Sequence, residues 1–303
     1  MGPALVLSAV LASAAYAWSP EPEVPVARTE VAAAVSGREV LVAGGFEGDG
    51  STSARADLYD PASRAWRRGP ELPAALHHAA AASLRGAAIV LGGYGREGPT
   101  TTAIRLRGDA WEQLPPLPVV RAAAAAVALR GKLYLVGGVG PRGLARSMLV
   151  YEPAARRWRS RPGPRPREHL AAAAARGRIY VLGGRSAGYD TNTALVESWA
   201  PGERRWRRER PLPEARGGTA AATVSGGLVV SVGGESPRGT HAAVFARDPR
   251  TGRWRRLPDL PTPRHGLGAV ALGGAVYVVA GGPAPGLSAS GANEALRLSS
   301  GAR

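Results

Sequence analysis

Apolar runs of four to six residues recur along this chain, and six of them end on a glycine pair: "EVLVAGG", "AAIVLGG", "KLYLVGG", "RIYVLGG", "LVVSVGG" and "VYVVAGG". A second apolar run, built of small residues, stands before each: "AAAV", "AAAASL", "AAAAAVAL", "AAAAA", "TAAATV" and "GAVAL". A two-residue turn joins the two runs, as at Ser36-Gly37, Arg130-Gly131, Arg176-Gly177 and Gly273-Gly274. Short apolar runs bounded by turn residues read as buried strands. Each pair of runs therefore predicts a hairpin.

The hairpins keep time. The glycine pairs begin at 44, 92, 137, 183, 233 and 281, so successive pairs lie 45 to 50 residues apart. Tryptophans at 18, 66, 111, 158, 206 and 254 follow the same clock, each 25 to 27 residues before a pair. Arg28, Arg121, Arg216 and Arg264 come ten residues after their tryptophans, and Arg167 comes nine after Trp158. Between glycine pair and tryptophan lie turns such as "YDPASRAW", "YEPAARRW" and "WAPGERRW". Self-similarity at this period is the mark of a repeat architecture. Each unit reads as four strands: a small-residue strand, a strand ending in Gly-Gly, a strand after a variable loop, and a strand beginning at Trp.

The glycine pair, the Asp-Pro-type turn, the tryptophan and the arginine resemble the kelch repeats, over Trp18 to about Leu298. Local departures are Leu76 in place of the arginine and "RLRGDAW" without an Asp-Pro turn. The resemblance implies an all-β fold, a six-bladed kelch-type β-propeller. Trp18 has no glycine pair before it, and the sixth pair has no tryptophan after it. The N-terminal "WSPEPEVP" is thus expected to supply the outer strand of the last blade, closing the ring and removing a free sheet edge. Six innermost strands converge on the axis, which explains their alanines and overrides helix propensity. Glycine pairs and tryptophans are read as structural.

Strand alternation puts the variable loops and the proline-rich connections between blades on one face. Binding usually resides in loops on a rigid scaffold. Arg28, Arg121, Arg167, Arg216 and Arg264 open the inner strands and are expected near the channel mouth on that face. There they are candidates for ligand contact or, as the ordinary alternative, for bonding backbone carbonyls that hold the blades. Glu30, His78 and His169 each stand fourteen residues before a glycine pair. That shared slot makes them candidate ligand residues at the mouth, able in principle to hold a metal or a polar ligand. Their ordinary role would be hydrogen bonding, and no metal site is predicted.

The formal net charge of +16 is carried by arginine, with Lys132 the single lysine. Such a balance invites nucleic-acid or anionic-surface readings. The surplus flanks the outer strands, in "WRRGP" and "ERRWRRERP", without an aromatic surface for stacking bases; nucleic acid is not predicted as a partner. The chain has no cysteine, which excludes disulfides, thiolate metal sites and a cysteine nucleophile. It also argues against the cysteine-modified tyrosine of galactose oxidase, which shares the kelch-type ring. No G-x-S-x-G, H-E-x-x-H or phosphate-loop signature occurs.

The first seventeen residues, "MGPALVLSAVLASAAYA", have an apolar segment and a small-x-small site, the form of a signal peptide cut before Trp18. The charged n-region is absent. The expectation is a secreted or periplasmic propeller over residues 18–303, monomeric and without a transmembrane anchor; without a real leader it would be cytoplasmic. Its function is expected to be non-catalytic binding of a protein or glycan through the loop face, with no cofactor. The alternative, implied by the six-bladed kelch sugar mutarotases, is a sialic-acid-processing enzyme using Glu30, Glu168 and Asp190 near the rim.

Overall fold

A computed structural model describes residues 16–224 and 226–298, which form six four-stranded antiparallel sheets. The first blade runs outward from the axis as Ala32–Ser36, Glu39–Ala43, Ala56–Asp60 and Ala65–Arg68. The next four repeat this order, with inner strands Ala80–Leu84, Ala125–Leu129, Ala171–Ala175 and Ala220–Thr223. The alanine run is thus a strand, as the repeat requires. Inner strands of neighbouring blades touch all the way round, the first meeting the sixth.

The sixth blade takes Gly268–Leu272, Ala275–Val279 and Asn293–Leu298 from the C-terminal end and Tyr16–Pro20 from the N-terminal end. Trp18 pairs with Leu296, in a register running from Tyr16 opposite Leu298 to Pro20 opposite Glu294. The expected closure is therefore present, with the strand starting two residues before Trp18. The predicted leader otherwise lies outside the described residues. Among the described residues no helix is long and apolar enough to cross a membrane.

The second strand of each blade is sandwiched between two sheets, which is why its sequence is apolar throughout instead of alternating. Val40, Leu41, Val42, Leu133, Ile179 and Val276 have no exposure. Each of the six repeat tryptophans is a clasp as well as a packing group. Trp18 donates from Nε1 to the Pro258 carbonyl at 2.9 Å, and Trp66 to that of Pro22 at 2.8 Å. Trp111, Trp158, Trp206 and Trp254 donate likewise to Pro70, Pro115, Pro162 and Arg210. Every acceptor lies at or just past the end of the preceding blade's outer strand, so the six bonds run once round the ring.

The glycine pairs form a second circuit. Gly45 donates its N–H to the Leu76 carbonyl, Gly93 to Arg121, Gly138 to Arg167, Gly184 to Arg216 and Gly234 to Arg264. Both members of the first five pairs have positive φ, +64° and +98° at Gly44 and Gly45, a region that only glycine enters freely. In the sixth blade the device is displaced by one residue from the Gly281-Gly282 expected. Ala280 takes the first position with φ +55°, and Gly281 donates to the Arg28 carbonyl at 2.7 Å.

Candidate functional site

The slot shared by Glu30, His78 and His169 is a backbone ring around the axis. Its six members are Glu30, His78, Ala123, His169, Gly218 and Gly266, all with φ between +49° and +63°. Each hands its carbonyl to the next: His78 N–H donates to Glu30, Ala123 to His78, His169 to Ala123, Gly218 to His169 and Gly266 to Gly218, at 2.9–3.1 Å. The Gly266 carbonyl is met by the Val31 N–H at 3.3 Å. The left-handed turn at each position aims its side chain into the mouth. Ala123, Gly218 and Gly266 offer almost nothing there, so the space belongs to the other three.

Those three meet. His78 Nε2 lies 3.3 Å from Glu30 Oε2 and 3.0 Å from His169 Nε2. They line a cavity of about 110 Å³ on the axis. A second tier supports them. The residue before each ring position bridges to the residue that follows the glycine pair of its own blade, as His77 to Tyr94, Glu168 to Arg185 and His265 to Gly282. His77 Nδ1 is 2.6 Å from His78 Nδ1, and its ring stacks on Phe46 and Tyr94. Glu168 Oε1 lies 3.2 Å from His169 Nδ1, near enough for an ion pair though bent away from hydrogen-bond alignment. His265 Nδ1 stands between Glu30 at 3.3 Å and Glu235 at 3.5 Å, and Glu235 also accepts from Arg185 at 2.8 Å.

Burial and these neighbours set the protonation states. Burial alone would raise the Glu30 carboxyl, but His78, His265 and His169 together hold it well below the usual carboxylate range. Burial pushes His78 down to about 4 in spite of Glu30. The His265 imidazole moves the other way: burial opposes its cation, but Glu30 and Glu235 outweigh it and raise the pKa. Partial burial would raise the Glu168 carboxyl as well, but His169 and Arg185 outweigh it and lower the pKa.

The arginine series is elsewhere. Arg28, Arg121, Arg167, Arg216 and Arg264 are at most 2% exposed, and none of them lines the axial cavity, at whose mouth they are expected. Each guanidinium turns back into its own blade and caps carbonyls at the end of the second and third strands. Arg28 donates to Gly44 and Arg55, Arg121 to Gly137 and Ser147, and Arg216 to Gly233 and Ala243. Arg167 reaches Gly183, and Arg264 reaches Ala280 and Val278. A buried cation needs a counter-charge. Asp57, Glu197 and Glu294 supply it at 2.5 Å to Arg28, Arg167 and Arg264. Arg216 instead has Glu214 at 2.8 Å and lies over the Phe245 ring. The second blade replaces the pair with Leu76 and Ile104, both buried.

Arg121 breaks the rule. Leu149 occupies the position that Asp57 holds in the first blade, two residues beyond the capped carbonyl. Among the described residues no carboxylate lies within ion-pair distance of Arg121, and its buried Nε has no partner. Arg121 lines a loop-face groove of about 770 Å³ with Val119, Leu144, Arg142, Arg146 and Arg161; no residue lining it is acidic or aromatic.

Sequence reasoning missed Glu235, Arg185, His77 and His265. Glu235 and Arg185 directly follow a glycine pair, and His77 and His265 directly precede a ring position, so the repeat itself held the signal. Asp190, expected near the rim, sits exposed in a loop turn at Tyr189–Thr191.

Comparison with known proteins agrees with this geometry. The family model described as the KLHDC2/KLHL20/DRC7 Kelch-repeats domain matches residues 110–282, and the Kelch motif matches residues 27–73. The Kelch-like protein terF of Aspergillus terreus is 34% identical over 97 residues, 31% of this chain. That match spans about a fifth, 21%, of terF. A solved structure titled "Structure of YjhT" superposes with a TM-score of 0.77 over 91% of this chain and 96% of that one, at 15% identity, a likeness of fold. With six glycine-pair blades, six tryptophan clasps and a family match over more than half its length, the chain belongs to the kelch-repeat family.

Proposed function

We propose that this propeller is a binding protein that seats an acidic peptide segment of a partner protein in the loop-face groove of the third blade. The observation that carries the reading is Arg121, a buried guanidinium without the carboxylate that Arg28, Arg167, Arg216 and Arg264 each possess. A partner carboxylate would supply the missing charge, and Arg142, Arg146 and Arg161 would hold further acidic groups at the exposed rim. Val119 and Leu144 give an apolar wall for the stems of the same side chains. The groove lacks an aromatic ring on which a sugar face could stack, which favours peptide over glycan.

The probe is a fluorescein-labelled glutamate-rich peptide followed by fluorescence anisotropy. Binding should weaken steeply with salt. The double reversal Arg142→Glu/Arg146→Glu should lower affinity at least about tenfold, since opposed charges at a rim cost several kcal/mol. Unchanged affinity in that variant would overturn the assignment. So would equal binding of a labelled anionic polysaccharide.

A second reading has one observation in its favour. The mouth holds three carboxylates, Glu30, Glu168 and Glu235, interleaved with His78, His169 and His265, an arrangement suited to acid–base work on a sugar acid. It requires faster anomer exchange of sialic acid in the presence of the protein; no acceleration removes it.

A further inference from the structure

We infer that the axial ring is a binding site for a divalent transition-metal ion of the zinc class, with His78 Nε2, His169 Nε2 and Glu30 Oε2 as its protein ligands. The first support is distance. One donor atom from each residue lies within 4.8 Å of the other two, and His78 Nε2 stands 3.0 Å from His169 Nε2 and 3.3 Å from Glu30 Oε2. Bonds of about 2.0–2.1 Å in a tetrahedral zinc site set donors roughly 3.3 Å apart. The triangle thus needs only small side-chain adjustment.

The second support is the direction of the lone pairs. His78 Nδ1 is 2.6 Å from His77 Nδ1, and His169 Nδ1 lies 3.2 Å from Glu168 Oε1, outside hydrogen-bond alignment but within ion-pair reach. When both histidines carry their proton on Nδ1, both Nε2 lone pairs and the Glu30 carboxylate face one point. A proton on one Nε2 can serve a single edge of that triangle. A cation serves all three.

The third support is the outer layer. A metal-binding histidine characteristically presents its other nitrogen to a carboxylate or another acceptor, which orients the ring. His169 has Glu168, itself 3.5 Å from Arg185 Nε, and His78 has the stacked His77. The free oxygen of Glu30 faces His265 at 3.3 Å. The three ligands also come from blades one, two and four, and Ala123 on the intervening blade is small enough to let His78 and His169 meet across it. The cavity of about 110 Å³ leaves a fourth position open for water or a small anion. Two imidazoles and one carboxylate select a borderline cation; magnesium and calcium prefer all-oxygen sites.

The test uses the whole chain, stripped with a chelator and titrated with Zn²⁺ by calorimetry and with Co²⁺ by visible absorption. One ion per chain is expected, with the intense d–d bands of four-coordinate Co²⁺. Asparagine tolerates positive φ, so His78→Asn and His169→Asn preserve the ring backbone. Each should weaken Zn²⁺ binding at least tenfold, and the double variant should abolish it and the Co²⁺ bands. Glu168→Gln, which touches no ion, should weaken binding about tenfold by freeing the His169 ring, and it covers the case in which the double variant does not fold. His241→Asn, outside the ring and paired with Glu214 at 3.3 Å, should leave Zn²⁺ binding unchanged. The assignment is overturned if the stripped chain binds no Zn²⁺ at micromolar concentration, if the ring variants bind as wild type does, or if Mg²⁺ competes on equal terms.

Discussion

Glu21 locks the ring at the seam where its two ends meet, and removing it should show how much that lock contributes. It follows the closing strand, is 6% exposed, and donates its N–H to the Asn293 carbonyl. Its carboxylate accepts from the Tyr59 hydroxyl at 2.6 Å and pairs with Arg64 at 3.0 Å, both on the first blade. It also pairs with Arg297 at 2.8 Å on the sixth. In Glu21→Ala the fully buried Tyr59 hydroxyl loses its acceptor, a cost of about 1–3 kcal/mol. Arg64 and Arg297 keep 55% and 39% of their side-chain exposure, so water replaces much of the pairing and each contributes only about 0.2–1 kcal/mol. Together these come to about 1.4–5 kcal/mol. An unfolding entropy of about 2.1 cal/mol/K per residue over roughly 280 residues turns this into a melting-point drop of about 2–9 °C.

The same contact sets a pH dependence. Burial alone would raise the Glu21 carboxyl, but the Tyr59 hydrogen bond and the two arginines outweigh it, and the folded pKa lies below the unfolded value near 4.5. The unfolded chain therefore binds the proton more readily. The stabilisation is complete above the unfolded pKa and disappears as the pH falls through the folded one. Glu21→Gln retains an acceptor for Tyr59, should lose only about 1 kcal/mol at neutral pH, and should flatten the acid limb of the stability curve. Thermal melts of the three proteins between about pH 7 and pH 3 measure both effects. A Glu21→Ala protein melting within about 1 °C of wild type at neutral pH would refute the seam as a stabilising lock.

Two contrasts test the repeat devices. Gly37 and Gly183 have φ of +60° and +62°, but a Cβ at Gly37 meets nothing within 4 Å whereas one at Gly183 would stand 2.5 Å from the Arg216 carbonyl oxygen. By chemical denaturation, Gly37→Ala should lose about 1 kcal/mol from the backbone alone, and Gly183→Ala a further 1–3 kcal/mol or so from the collision; equal losses would rule out close approach as the reason for the pair. Arg264→Met strands the buried Glu294 and should cost about 3–5 kcal/mol. Arg121→Met strands no carboxylate, so it should cost clearly less in the same assay. An equal loss would show that Arg121 has a counter-charge after all.

The ring and its closure were legible because they depend on positions that recur. A glycine that must let a neighbouring carbonyl approach, or a tryptophan that must clasp the preceding connection, leaves its mark six times. The convergence of Glu30, His78 and His169 was half legible: the fourteen-residue offset put them in one tier, while their mutual distances depend on Ala123, Gly218 and Gly266 being small. The arginines misled because their partners lie far along the blade. Asp57, Glu197 and Glu294 stand 29, 30 and 30 residues after Arg28, Arg167 and Arg264, a spacing that has meaning only once the third strand is folded back beside the second. Arg121 was indistinguishable from the others in sequence. What sets it apart is Leu149, an unremarked apolar residue in an apolar strand.

The ring of left-handed residues has a consequence beyond the chemistry it now presents. Its hydrogen bonds are made by main-chain atoms alone, so the scaffold is indifferent to which side chain each position carries. It works as a socket board with six places: one acid, two imidazoles, one methyl and two vacancies. New chemistry could be written into such a mouth one place at a time, with the limit set by how closely the neighbouring blade approaches each place. Gly266 illustrates that limit, for a Cβ there would stand 2.6 Å from Glu30 Oε1 and Thr29 Oγ1 and 2.7 Å from the Glu30 backbone nitrogen. Filling that vacancy would mean moving the main chain of the next blade as well as its acid, so the vocabulary of each place depends on the word already spoken beside it.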